Sequence, residues 1–145
     1  SKTFSRAFVN DESGAPVLTI DPEFMRDLTR EALLFVVAHE YAHVYFNHQK
    51  KLGAKAMELA GLPNSDMAFD ALEAQPLAMA QLHQMNRQFE LDADEAAVKW
   101  LRAMGIESCT DDVLRTMDNN EMAMMVIQPS HPGFYRRKAV ICRAP

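Results

Sequence analysis

The spacing of apolar residues predicts helices over most of this chain. A long helix is expected from Thr29 to about Leu52, with Gly53 near its end. Residues 32–38 within it are apolar without interruption, and a helix that is apolar on every side is buried in a core. A further helical segment is expected between Gly53 and a Gly- and Pro-containing break at residues 61–65.

Three more helices are predicted in the second half of the chain. A long one is expected from Pro76 to Met104, because proline suits the first helical turn and a glycine follows the last. A shorter helix begins at about Thr110, and a last one starts at Pro132. No repeat, low-complexity tract or linker interrupts the pattern, so residues 1–145 are expected to form a single domain.

The first twenty residues have a different pattern. Residues 6–10 are short and mixed in character, residues 11–16 are rich in turn formers, and residues 17–20 are apolar and β-branched. These segments predict a small sheet, and Asp21-Pro22 marks the start of the helical part. The fold class that follows is α+β, mostly α-helical, with a small N-terminal β-sheet.

Composition and charge exclude several classes of protein. The 145 residues are 48% hydrophobic with a net charge of −5, which allows a sizeable core and offers no basic patch for nucleic acid. The longest apolar run has seven residues, far below the roughly 20 that a membrane span needs. We therefore expect a soluble domain with no transmembrane segment. No signal peptide is visible, so cytoplasmic and periplasmic locations both stay open.

The chain has two cysteines, Cys109 and Cys142. They can pair, but their spacing resembles neither a disulfide framework nor a metal knuckle. Two free or buried thiols are therefore expected.

The strongest chemical signal is the segment His39-Glu40-Tyr41-Ala42-His43. Two histidines four residues apart share one face of a helix and can bind one metal ion, with Glu40 beside it. At this chain's composition the pattern is expected by chance about 0.01 times. The apolar residues 32–38 lead straight into Glu40, and a metal would offset the cost of burying its charge. A histidine pair on a solvated face is the disfavoured alternative.

A catalytic zinc takes three protein ligands, so a third is required. His48 lies about 140° further round the predicted helix than His43, and we expect it at the surface. Glu90, 47 residues after His43, is the better ligand. Asp94 lies one turn later on the same face and can orient a ligating histidine. The alternative for this acidic segment is a solvated charged face.

Three motifs stand in order along the chain: the His-Glu-x-x-His motif, the segment Glu90-Leu-Asp-Ala-Asp94, and a segment that begins at His131. Together they resemble the gluzincin metallopeptidases of the HtpX and CAAX prenyl protease type, metallopeptidase family forty-eight, over most of the chain. The resemblance implies a zincin-like domain whose active-site helix carries the first motif. It also implies one zinc ion bound by His39, His43 and Glu90.

The same resemblance assigns roles to four more residues. Glu40 is the general base, and Asp94 supports a ligating histidine. His131 lies near the reaction centre as a donor to the oxyanion, and Arg137 matches the family's arginine six residues later. From the residues alone, His131 with Pro132 is equally a turn and helix start.

The function expected is that of a zinc-dependent metalloendopeptidase. A zinc-activated water attacks the peptide bond of a protein or peptide substrate in extended conformation, with Glu40 as general base. We expect Val17, Leu18, Thr19 and Ile20 to form an edge strand that pairs with this substrate, the alternative being a strand that serves only the core. Two other functions stay open. One is a zinc-binding regulatory or interaction domain with latent or lost peptidase activity, and the other is a helical interaction domain without metal.

Overall fold

The computed structural model describes residues 6–9, 16–19, 22–123 and 132–145. Within these ranges the chain forms a hairpin of two strands followed by seven helices. In order they are β1 (Arg6–Val9), β2 (Pro16–Thr19), α1 (Pro22–Arg26), α2 (Arg30–Tyr45), α3 (His48–Ala60), α4 (Ser65–Leu72), α5 (Pro76–Ala103), α6 (Asp111–Ala123) and α7 (Phe134–Ile141). None of these helices has both the length and the apolar character that crossing a membrane requires.

The predicted mostly helical fold is confirmed. Strand structure in the described part of the chain is confined to the hairpin, in which β1 and β2 run antiparallel. Arg6 lies opposite Thr19, and Val9 lies opposite Pro16. The small N-terminal sheet thus consists of two strands of four residues each, and both strands contact α2.

Helices α2 and α5 pack against each other at the centre of the fold. The first begins where Thr29 Oγ1 accepts a hydrogen bond of 3.3 Å from the backbone N–H of Ala32. In its apolar segment Ala32, Phe35 and Val36 are buried and the other four residues are partly buried. Phe35 joins α5, α6 and α7 in the main core. The buried core residues from these four helices include Phe35, Val98, Leu101, Val113 and Ile141. A second core forms between α3, α4 and α5.

The prediction of one continuous helix from Thr29 to Leu52 is wrong. Helix α2 ends at Tyr45 and α3 begins at His48, with Asn47 between them in the left-handed conformation at φ 55° and ψ 39°. Asparagine adopts this conformation more readily than most residues with a side chain. A left-handed residue cannot continue a right-handed helix, so α3 starts in a new direction.

Gly53 does not end a helix as predicted, because it lies buried inside α3. A Cβ built on Gly53 would lie 3.4 Å from the Cβ of Ser65, at the start of α4. Gly53 therefore lies where α3 packs against the start of α4. Helix α3 instead ends at Gly61, whose φ of 67° suits a glycine.

Cys109 and Cys142 form a disulfide with their Cα atoms 4.9 Å apart, so the prediction of free thiols is wrong. Cys109 lies just before α6 and Cys142 lies at the end of α7, and these two helices are in contact. The tertiary fold brings the two cysteines together. A separation of 33 residues along the chain gives no sign of that contact.

Candidate metal centre

The candidate metal centre lies between α2 and α5. Ala42 on α2 and Ala93 on α5 are both 0% exposed and belong to one cluster in the contact between these helices. Small side chains at a helix contact allow the two backbones to approach closely. Side chains on one turn of α2 therefore reach those on one turn of α5.

Three predicted ligands converge there. His39 Nε2 lies 3.1 Å from His43 Nε2 and 3.1 Å from Glu90 Oε2, and His43 Nε2 lies 3.0 Å from Glu90 Oε1. A tetrahedral zinc with bonds of about 2.0–2.1 Å places its ligand atoms about 3.3 Å apart. The three side chains thus have the donor types and spacing of one face of a zinc coordination sphere.

Asp94 holds the other nitrogen of His39. The Nδ1–H of His39 donates to Asp94 Oδ1 at 2.8 Å, and Asp94 is 0% exposed. Arg137 of α7 donates to the same carboxylate, from Nε to Oδ2 at 2.8 Å and from Nη2 to Oδ1 at 2.9 Å. With its proton on Nδ1, His39 presents an unprotonated Nε2 to a metal.

Electrostatics favour a cation at this centre. Burial raises the pKa of Asp94, but the charges and hydrogen bonds of Arg137 and His39 together lower it below its usual value. Burial likewise opposes ionisation of Glu90, yet His39 holds the Glu90 pKa well below its usual range. Burial alone would lower the pKa of His39, but the charge of Glu90 and hydrogen bonds to both carboxylates raise it to about 10. Of these groups two are carboxylates and one is a guanidinium, and a proton on His39 or a metal ion balances the remaining charge.

His48 also belongs to this centre, so its predicted surface position is wrong. The side chain is buried, and its Nδ1 lies 2.9 Å from the Nδ1 of His43. Burial, followed by the charge of His43, lowers the pKa of His48 to about 4, so the ring is neutral near pH 7. The break at Asn47 places His48 there, and a continuous helix would not. A sequence sign of this break is Asn47 itself, because asparagine is common at helix ends.

Of the remaining predicted site residues, Glu40 and three residues of β2 are described, and two others are not. Glu40 is half-buried on α2, directly after His39. Val17, Leu18 and Thr19 belong to β2, and Leu18 is exposed. The predicted residues His131 and Ile20 fall outside the described residues.

In one class of zinc-dependent metallopeptidases, two histidines one turn apart on a helix and a glutamate from a second helix bind the zinc. The glutamate that follows the first histidine is the general base. A family comparison agrees with this class. The chain belongs to Peptidase family M48, whose model matches residues 5–141. No curated protein and no solved structure matches the chain. The predicted family is confirmed, and membership identifies the chain as a metallopeptidase; the HtpX or CAAX prenyl protease type stays a prediction.

Proposed function

We propose that this chain is a zinc-dependent endopeptidase, formed as one domain, that hydrolyses peptide bonds in proteins or peptides. His39, His43 and Glu90 would hold the zinc. The observation that carries the proposal is the convergence of their three ligand atoms, 3.0–3.1 Å apart, between α2 and α5. The family match over residues 5–141 supports the same assignment.

Zinc bound there would polarise the substrate carbonyl and lower the pKa of a coordinated water toward about 7. The surrounding residues prepare the ligands for this role. Asp94 accepts the Nδ1–H of His39 and thereby directs the Nε2 lone pair of that ring toward Glu90 and His43. Arg137 in turn fixes the Asp94 carboxylate with two hydrogen bonds.

Glu40 is the proposed general base. It follows His39 directly, so its side chain lies on the adjoining face of α2. Its carboxylate would accept a proton from the attacking water and return it to the departing amine. We assign His131 as the donor that stabilises the oxyanion of the tetrahedral intermediate.

The proposed substrate is an extended peptide that pairs with the edge of the strand at residues 17–20. Two observations support this: β2 contacts α2, which carries two of the three proposed metal ligands, and Leu18 is 39% exposed. Backbone pairing of this kind selects little by side chain. Proline substitutions along the strand should weaken peptide affinity in variants that stay folded, and unchanged affinity would refute this binding mode.

The central experiment compares cleavage of casein by the zinc-loaded wild type, Glu40→Gln and Glu95→Gln. Glu95 is exposed on α5 and serves as the matched control for loss of one carboxylate. Wild type and Glu95→Gln should cleave casein, while Glu40→Gln should be slower by about 10²-fold or more because its amide cannot accept the proton. Elemental analysis should find one zinc per chain in all three.

The outcomes separate the candidate functions. If all three proteins bind zinc and none cleaves casein, the chain is a zinc-binding regulatory domain or a latent peptidase. If Glu40→Gln cleaves as fast as wild type, Glu40 is not the base. If wild type takes up no zinc, the ligand assignment itself is wrong.

A further inference from the structure

His48 makes a specific contact with a proposed zinc ligand. Its Nδ1 lies 2.9 Å from the Nδ1 of His43, on the side of that ring opposite the Nε2 that faces Glu90. His48 is only 4% exposed. Water is therefore largely kept from this contact, and each Nδ1 atom has the other as its hydrogen-bond partner.

The chemistry of two facing nitrogens fixes where the proton lies. In a hydrogen bond between two imidazole Nδ1 atoms, one must donate and the other must accept. If His43 binds a metal through Nε2, its proton must reside on Nδ1. The Nδ1 of His48 is then the acceptor, and the proton of His48 resides on its Nε2.

We propose that His48 is a positioning residue for the metal centre: it accepts the Nδ1–H of His43 and thereby fixes the tautomer and the ring orientation of that ligand. The proposal rests on the proposed function, because it takes His43 as a zinc ligand. His48 would do for His43 what Asp94 does for His39. The difference is charge: His39 is held by a carboxylate, whereas His43 is held by a neutral ring.

The surroundings of His48 explain how its ring is held in place. It stacks on Phe89 of α5 with ring centroids 4.1 Å apart and an interplanar angle of 8°. Phe46 stacks with it as well, at 5.4 Å and 27°. The left-handed Asn47 starts α3 in the direction that places His48 between these rings and His43. Two aromatic contacts and a fixed backbone therefore leave the imidazole little freedom to rotate.

The test uses two substitutions that separate ring packing from hydrogen bonding. His48→Phe keeps an aromatic ring for stacking and removes the acceptor. His48→Asn removes the ring and offers the amide oxygen as an acceptor near the former Nδ1. Zinc affinity is measured by competition with a chromophoric chelator, and thermal unfolding of the metal-free proteins identifies the variants that stay folded.

Zinc affinity should fall by about 10–100-fold in His48→Phe, the range for loss of a hydrogen-bond partner of a metal ligand. His48→Asn should recover most of that loss. The cobalt-substituted wild type and His48→Asn should share one visible absorption spectrum, because the ligands are unchanged. A changed spectrum in His48→Asn would mean that His48 itself binds the metal and would overturn the proposal.

A measurement on the wild type keeps the proposal testable if a variant fails to fold. In the zinc-loaded, ¹⁵N-labelled protein, a scalar coupling across the hydrogen bond should join His43 Nδ1 to His48 Nδ1. Absence of this coupling, or a folded His48→Phe with wild-type zinc affinity, overturns the role of His48 and leaves the proposed function standing. A wild type that binds no zinc refutes the proposed function first.

Discussion

The guanidinium of Arg137 on α7 binds both carboxylate oxygens of Asp94 on α5, at 2.8 and 2.9 Å. Asp94 is 0% exposed and Arg137 is 8% exposed, so the pair is buried. Because Asp94 also accepts the Nδ1–H of His39, the last helix of the chain is joined through two side chains to a proposed metal ligand.

Removal of the Arg137 guanidinium should lower the free energy of unfolding strongly. Arg137→Ala leaves the buried Asp94 carboxylate without its main counter-charge, and breaking one partner of a buried pair costs about 3–5 kcal/mol in the free energy of unfolding. Arg136→Ala is the matched control, because Arg136 is the preceding residue and is exposed; surface substitutions change stability by about 0.5 kcal/mol or less. Urea unfolding of the metal-free proteins measures both. Equal stability of the two variants would contradict the importance of the buried pair.

The same ion pair predicts that the free energy of unfolding of the metal-free protein falls at acid pH. Burial raises the pKa of Asp94, but Arg137, helped by His39, lowers it overall. A lowered native pKa gives stability that is complete above the unfolded pKa of about 3.9 and is lost as pH falls through the lower native value. His39 adds no dependence in this window, because its raised pKa of about 10 makes its contribution disappear only as pH rises.

Comparing the unfolding free energies of wild type and Arg137→Ala at each pH separates the contribution of Asp94 from that of other acidic groups. The difference in unfolding free energy between wild type and Arg137→Ala should be largest near neutral pH and should shrink as pH falls, because Asp94 without the guanidinium takes up a proton at a higher pH than Asp94 in the wild type. Glu90 also has a lowered pKa, but it titrates in both proteins. A difference that stays constant down to pH 3 would show that Asp94 does not titrate in the expected direction.

Local spacing explains why much of the candidate metal centre was predictable. His39 and His43 lie one helical turn apart, as do Glu90 and Asp94, so each pair shares a face whatever the tertiary fold. Residue type then limits what each pair can do: imidazoles and a carboxylate are zinc ligands. The apolar run before His39 also correctly predicted that this part of the helix packs into the core, since none of its residues is exposed.

Features that depend on one backbone angle or on distant contacts were not predictable in the same way. His48 was misplaced because a single left-handed residue, Asn47, breaks a pattern that otherwise reads as continuous helix. Glycine often ends a helix, but Gly53 lies inside α3 and is buried next to Ser65 of α4. The disulfide between Cys109 and Cys142 depends on how α6 packs against α7, and spacing along the chain does not encode that.

The close contact between α2 and α5 should be essential to the metal centre. Ala93 is 0% exposed and lies in the same cluster as Ala42 of the opposing helix. The proposed ligands come from both helices, so the separation of the two backbones sets whether Glu90 reaches the two histidines. A larger side chain at Ala93 must either distort its own rotamer or push the helices apart.

Ala93→Leu should therefore lower the free energy of unfolding by about 1–3 kcal/mol, the usual cost of overpacking, and should weaken zinc binding in the protein that remains folded. Ala80→Leu introduces the same side chain at an exposed position of the same helix and should change neither quantity. Urea unfolding of the metal-free proteins and zinc competition titrations measure the two effects. If Ala93→Leu loses stability but binds zinc as tightly as Ala80→Leu, the three ligands do not depend on close packing between α2 and α5, because the site can then form with the helices moved apart.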